Sequence, residues 1–426
     1  MRIRDPIHGT LEVADAEKAV IDSPFFQRLR TVRQLGFGEL AFPGATHTRH
    51  AHSLGAMHVS GRLFDAVAAR SQLSAQDKER FRAAVRAAVL CHDLGHLPFS
   101  HASESIAPPR KVLGLPAWLD GAREGQANHE DYTAKLLLDS ELTALLRGAY
   151  QPRGLLPEHL ASLVVGKQAP GAKAFVAGGK DWWPLLRSLV SGELDADRMD
   201  YLLRDSTYTG VNYGRYDFEW LVSNVAPAEV DGAMQLALSR VAAFAFEDFL
   251  LSRYHMFVSV YLHHTSVSFD HMLRRFYDEA PGEFSLPTAP EQFLRCDDVA
   301  LQSALRNSKN RWAARIVGRR GFKVVAQFTE RDEGYDLEAL GRALGAAGID
   351  HFELESKAVL SRYTDGGEGP TLYISDAQTG RLTEVSKYTP LYQRYAGALV
   401  LKRVYVSPEA AEQARPIVAD LVGGAK

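Results

Sequence analysis

The chain has 426 residues, of which 46% are apolar and 24% charged, with a formal net charge of -3. That is the balance of a soluble globular protein of two or three lobes, and it provides no global basic field to recruit nucleic acid. Two distant cysteines, Cys91 and Cys296, exclude a disulfide framework or zinc ribbon and read as buried thiols of a reducing cytosol. The opening MRIRDPIHG lacks the apolar centre of a signal peptide, and no run approaches the ~18 apolar residues of a membrane span. A cytoplasmic protein without a membrane partner is expected.

Residues 1–13 read as an extended segment with a turn at His8-Gly9. From Asp15 to about residue 280 the spacing is helical almost throughout. One face carries Phe81, Val85, Ala88, Val89 and His92; another carries His52, Gly55, Ala56, Val59 and Leu63, with His58 off the stripe and solvated. Pro and Gly clusters mark loops at 106–128 and 166–180, and APGEFSLPTAP (280–290) marks a boundary. One or two helices (298–320) follow, with the basic run RWAARIVGRR as a solvated face. The β-rich segments FKVVAQF, HFELESKAVL, TLYISDA, LTEVSKYT and ALVLKRVYV come next, punctuated by TDGGEGP and DAQTG, before a frayed GGAK tail. The expected fold is mainly α: a helical body over 1–280 and a smaller α+β lobe over 281–426.

Nine of the 15 histidines precede residue 130, which points to the N-terminal body. LCHDLGHLPFSH (Leu90 to His101) carries three of them and an aspartate off the end of an apolar helix. Leaving such groups buried and unpaired would cost on the order of several kcal/mol, so something should compensate them. THTRHAHSLG supplies His52, and SGELDADRMDYLLRDS supplies an acidic cluster with Asp197, Tyr201 and Asp205 on one helical face. In that cluster Asp195 and Asp200 read as cap or solvated residues. Imidazoles and carboxylates together suit a divalent metal with open positions for water and substrate oxygens. Mn²⁺, Fe²⁺, Co²⁺ and Mg²⁺ fit, and Zn²⁺ is not excluded.

In this order, THTRHAHSLG, LCHDLGHLPFSH and LDADRMDYLLRD resemble the HD-domain phosphohydrolases. RDPIHGTLEV, VIDSPFFQRLRTVRQLG and FPGATHTRHAHSLG are similar to its deoxynucleoside triphosphate triphosphohydrolases, the branch of the SAM-and-HD-domain enzymes. The resemblance runs from residue 3 to about 280 and fades into the C-terminal lobe.

It implies His52, His92, Asp93 and Asp197 as metal ligands, and water attack on the α-phosphorus that frees a deoxynucleoside and triphosphate. It implies His101 as proton donor to the leaving oxygen, with His129, Glu130 and His96 lining the same site. Arg49, Arg198 and Arg253 match phosphate contacts; Gln34, Leu35, Tyr201 and Asp205 match residues that hold the sugar. Tyr261 matches the tyrosine that crowds the 2′ position. Asp22, Gln27 and Arg30 match guanine-reading positions of an allosteric site, which implies a guanine-nucleotide activator and a homo-oligomer, dimer or tetramer. Against this, only Met1 to Arg4 precede Asp5, and Arg4 replaces a small polar residue. No role is expected of His255, His263 or His264, while His47 and His50 are either supporting or exposed. Two other readings compete: an HD phosphohydrolase of another substrate (a nucleotide mono- or diphosphate, cyclic nucleotide or nucleoside-analogue phosphate), or a nucleotide-gated binder of single-stranded nucleic acid.

Overall fold

The computed structural model describes residues 1–426 except 122, 172, 330, 331, 333, 334, 360–369, 392–397 and 423–426. The GGAK tail and most of the TDGGEGP turn thus lie outside the described residues. The fold is mainly α, with a smaller β-containing region towards the C-terminus. No described helix is long and apolar enough to cross a membrane.

Strands β1 (Arg2–Asp5) and β2 (Gly9–Glu12) form an antiparallel hairpin with Ile3 opposite Leu11. Its turn falls at His8-Gly9, where Gly9 takes φ +74°, a conformation open to glycine at little cost. The body is built around α1 (Arg49–Ala69) and α2 (Ala75–Cys91). Ser74 starts α2 by accepting a bond from Asp77 N, and its apolar face buries Phe81, Val85, Ala88 and Val89 against α1. A fully buried Phe or Val of this kind contributes roughly 1.5–3 kcal/mol. Helix α3 (His129–Leu138) opens on an Asn128 and Asp131 capping box, and Asp195 caps α4 (Ala196–Thr209) by accepting from Arg198 N.

The helical reading fails over one stretch before 280. Strands β3 (Val225–Val230) and β4 (Ala233–Ser239) form a hairpin across Asp231-Gly232, both at positive φ. Helix α5 (His264–Glu279) then contributes Phe269, Met272 and Phe276 to a second core, which they share with Phe37, Phe99, Trp312, Phe322 and Tyr405. The expected helices after 298 are Asp298–Asn307 and Arg311–Val317, the latter burying Trp312 and Ile316 beneath its basic face.

The C-terminal sheet is antiparallel, with β5 (Lys323–Thr329) and β6 (His351–Val359) on either side of β9 (Ala398–Val406). Not all late residues stay with it. The strands β7 (Tyr373–Ser375) and β8 (Leu382–Glu384) return to the body, where β7 runs parallel to β4 with Ile374 beside Leu238.

Candidate metal centre and cavity

His52 lies in the first turn of α1, His92 caps the end of α2, and Asp197 stands in the first turn of α4. Contacts of α1 with both α2 and α4 bring these three ends together. One ligand atom from each of His52, His92 and Asp197 falls within 4.8 Å of the others. Asp93, the fourth expected ligand, lies alongside: its Oδ1 is 3.3 Å from His92 Nε2 and its Oδ2 3.8 Å from His52 Nε2. His52 is 0% exposed and Asp93 3%.

Each imidazole is oriented from behind. His92 Nδ1 donates to Val89 O at 2.6 Å, and His52 Nδ1 lies 2.7 Å from Asp200 Oδ2. Both Nε2 atoms are left facing the carboxylates, buried and without a hydrogen-bond partner, although His52 Nε2 is only 3.0 Å from Asp197 Oδ1. Two orphaned imidazole nitrogens aimed at two carboxylates fit a divalent cation. The electrostatics agree. Burial opposes charge on His52, yet the Asp197 and Asp200 carboxylates push its pKa up to about 10. Burial likewise works against ionised Asp93, but Arg49, His92 and His96 hold its pKa well below the carboxylate range.

The turn after the ligands is built tightly. A Cβ on Gly95 would come within 2.1 Å of His129 O, so α3 can pass only over glycine. Thr133 Oγ1 donates to His92 O and accepts from Gly95 N, both at 2.9 Å. Arg28, also buried, donates to His96 O at 2.8 Å and to Cys296 O at 2.9 Å. Phe99 and Ser100 then adopt φ of 54° and 57°, a left-handed pair costing about 1–3 kcal/mol for each residue. Asp298 holds it by accepting from Phe99 N at 2.7 Å and Arg33 N at 3.0 Å. Arg49 adds bonds to Ser100 Oγ at 3.1 and 3.0 Å.

This construction carries His101 to the rim of a cavity of about 580 Å³ whose wall includes His92, Asp93 and Asp197. His101 is largely exposed, 3.0 Å from Glu104, and Glu104 also lies 3.1 Å from His129. His96 stacks on His129 with ring centres 4.1 Å apart. Burial opposes ionisation of Glu104, but the two histidines bring its pKa well below the usual range. His96, His129 and Glu130 all line the cavity, as do Gln34, Leu35, Arg49 and Tyr201. Arg49 Nη1 is bound to Asp93 Oδ2 at 2.6 Å, which places it beside the candidate ligands rather than on the surface.

Also lining the cavity, Tyr261 donates to Asp205 Oδ2 at 2.8 Å, while Asp205 Oδ1 lies 2.7 Å from His47 Nε2. His47 and His50 are both buried, so neither is exposed, and His47 serves as a support. Arg198 and Arg253 are not among the side chains that line this cavity; both are buried and face Glu193, Arg198 at 3.4 Å and Arg253 at 3.9 Å. Asp22, Gln27 and Arg30 lie outside it: Asp22 pairs with Lys18, Gln27 donates to Ile21 O, and Arg30 donates to Gln27 at 2.7 Å.

Two expectations are corrected. Asp200 is neither cap nor solvated: it is 0% exposed, bonded to His52, His8 and Arg204. His58 is not solvated but half-buried, its ring 5.7 Å from that of His8, and burial lowers its pKa to about 4. Glu104 was not anticipated at all; its signal was the three-residue spacing from His101.

The HD domain family matches residues 49–203 and the HD associated region matches 217–338. The uncharacterized protein YwfO of Bacillus subtilis is 34% identical, over 92% of this chain and 89% of its own. The deoxynucleoside triphosphate triphosphohydrolase SAMHD1 of Homo sapiens is 30% identical over 70% of this chain, which spans 44% of the human protein. A crystal structure of a hypothetical protein from Aquifex aeolicus superposes with a TM-score of 0.73 at 27% identity, covering 98% of this chain and 99% of the other.

Proposed function

The chain belongs to the HD-domain phosphohydrolases related to the deoxynucleoside triphosphate triphosphohydrolases, and from that we propose that it hydrolyses deoxynucleoside triphosphates to deoxynucleoside and inorganic triphosphate. The observation that carries the reading is a nucleotide-sized cavity with a metal-ligand cluster on one wall and the Tyr261–Asp205 pair on another.

His52, His92, Asp93 and Asp197 would hold a divalent ion; Mn²⁺, Fe²⁺, Co²⁺ and Mg²⁺ suit the set, and Zn²⁺ is compatible. When bound, that ion supplies Lewis acidity and a water of lowered pKa. The protein does the rest. Arg49 presents a cation to the phosphates, and the buried Arg198 and Arg253 add positive potential behind the wall. Glu104 orients His101, which stands at the rim to protonate the 5′ oxygen as it leaves phosphorus. With both Asp205 oxygens engaged, Tyr261 is fixed as a rigid wall. A ribose 2′-hydroxyl placed against it would need space that the ring occupies and would lose a hydrogen bond to water.

Incubation of metal-loaded protein with each of the four substrates, followed by separation of products, tests the reading. Inorganic triphosphate is expected; stepwise orthophosphate would favour a different phosphoester. Replacing Tyr261 by Ala should narrow the preference for deoxyribo- over ribonucleotides by about tenfold or more, read as a ratio of kcat/KM. An unchanged ratio would remove Tyr261 from the sugar wall.

A further inference from the structure

The N-terminal hairpin reaches the metal centre through buried hydrogen bonds. His8, in its turn, places Nε2 2.7 Å from Asp200 Oδ1, and the other oxygen of Asp200 is 2.7 Å from His52 Nδ1. The His8 side chain is 5% exposed and that of Asp200 0%. Arg204 closes the arrangement from α4. Its Nη2 and Nε donate to Asp200 at 2.9 and 2.8 Å, and its Nη1 donates to Asp5 Oδ2 at 2.9 Å. The same Asp5 shapes the turn, because its Oδ1 accepts from both Ile7 N and His8 N at 2.9 Å. No side chain fits at Gly55: a Cβ there would stand 2.0 Å from Asp200 Oδ1 and 2.2 Å from Arg204 Nη2.

We propose that His8 is a positioning residue of the metal centre, acting through Asp200 to hold the His52 ring in the tautomer and orientation that present Nε2 to the ion. The inference rests on the metal reading above. A carboxylate bonded to a ligand histidine fixes the ring and raises its basicity, and losing such a partner costs metal affinity. Here that carboxylate is itself held from two sides. Arg204 grips it within α4, and His8 reaches it from residues 1–13, a segment that contributes no ligand. The hairpin therefore supports the centre, and the distance along the chain from His8 to Asp200 hides the connection. Phe218 and His58 flank the His8 ring, with centres 5.6 and 5.7 Å away, and keep it from swinging off Asp200.

The test is cobalt binding by the full-length, metal-stripped chain, followed by visible absorption, with thermal unfolding of the metal-free proteins alongside. His8→Ala should raise the Kd for Co²⁺ about 10- to 100-fold. His8→Gln, whose amide nitrogen can replace Nε2 as a donor to Asp200, should recover most of that loss. Asp200→Asn should weaken binding at least as much. If that variant does not fold, the His8 pair decides alone. Wild-type affinity in His8→Ala would overturn the proposal. So would a His8→Gln variant that regains thermal stability but not cobalt affinity, since that pattern marks a purely structural role. Wild-type protein that takes up no cobalt would remove the metal reading itself, and this inference with it.

Discussion

Replacing Asp197 by Ala is expected to abolish turnover and metal uptake while leaving the helical content unchanged. The Asp197 carboxylate is the part of the cluster most open to solvent, with a side chain 35% exposed. Its loss therefore leaves little void, and α4 keeps its start because Asp195, not Asp197, makes the cap. The loss at the site is much larger. The facing His52 and His92 imidazoles, with Nε2 atoms 3.0 and 3.6 Å from Asp197 Oδ1, hold its pKa far below normal, so it is the anion on which both imidazoles converge. A metal ion contributes several kcal/mol at the transition state, and at about 1.4 kcal/mol per tenfold its loss means roughly a thousandfold or more in kcat. Metal analysis, circular dichroism and a product assay on one preparation check the three parts. Retained activity would refute the ligand assignment.

Replacing Arg204 by Met is expected to produce the largest loss of stability. Arg204 is 0% exposed and the largest fully buried side chain among the described residues, with Asp200 and Asp5 as its partners. Removing one member of a buried ion cluster strands the others, at about 3–5 kcal/mol. The midpoint of thermal unfolding should fall by roughly 5 °C or more. The exposed pair of Arg62 and Glu219 makes a suitable control, with a similar contact of 2.6 Å but side chains 35% and 72% exposed. Replacing Arg62 by Ala should cost under about 1 kcal/mol. Equal effects from the two variants would show that Arg204 is not the keystone of its cluster.

The neighbourhood of the candidate metal centre was legible because LCHDLGHLPFSH crowds three histidines and an aspartate at the end of an apolar helix, while the set His52, His92, Asp93 and Asp197 came from the ordered resemblance to the HD-domain family. The mainly helical body and the β-rich C-terminal segments were legible from periodicity. Asp200 was misjudged because solvated and buried aspartates look alike without their partners, and His8 is 192 positions away from it. The i, i+4 spacing of Asp200 and Arg204 was the available hint. The hairpin over 225–239 also carried its own signal, Asp231-Gly232 between apolar runs, which helical periodicity on either side obscured. The buried Arg198 and Arg253 both face Glu193, and no spacing rule announces those contacts.

The way β7 and β8 rejoin the body sheet has a consequence for how the molecule comes apart. The chain leaves the body, supplies β5 and β6, the two outer strands of the three-stranded sheet, threads back to lay β7 beside β4, and departs once more to supply β9, the central strand of that sheet. The two regions are laced together rather than strung in series. A single cut between β6 and β7 would sever the polypeptide without freeing either piece, and shortening the chain before β7 would strip β7 and β8 from one sheet and the middle strand from the other.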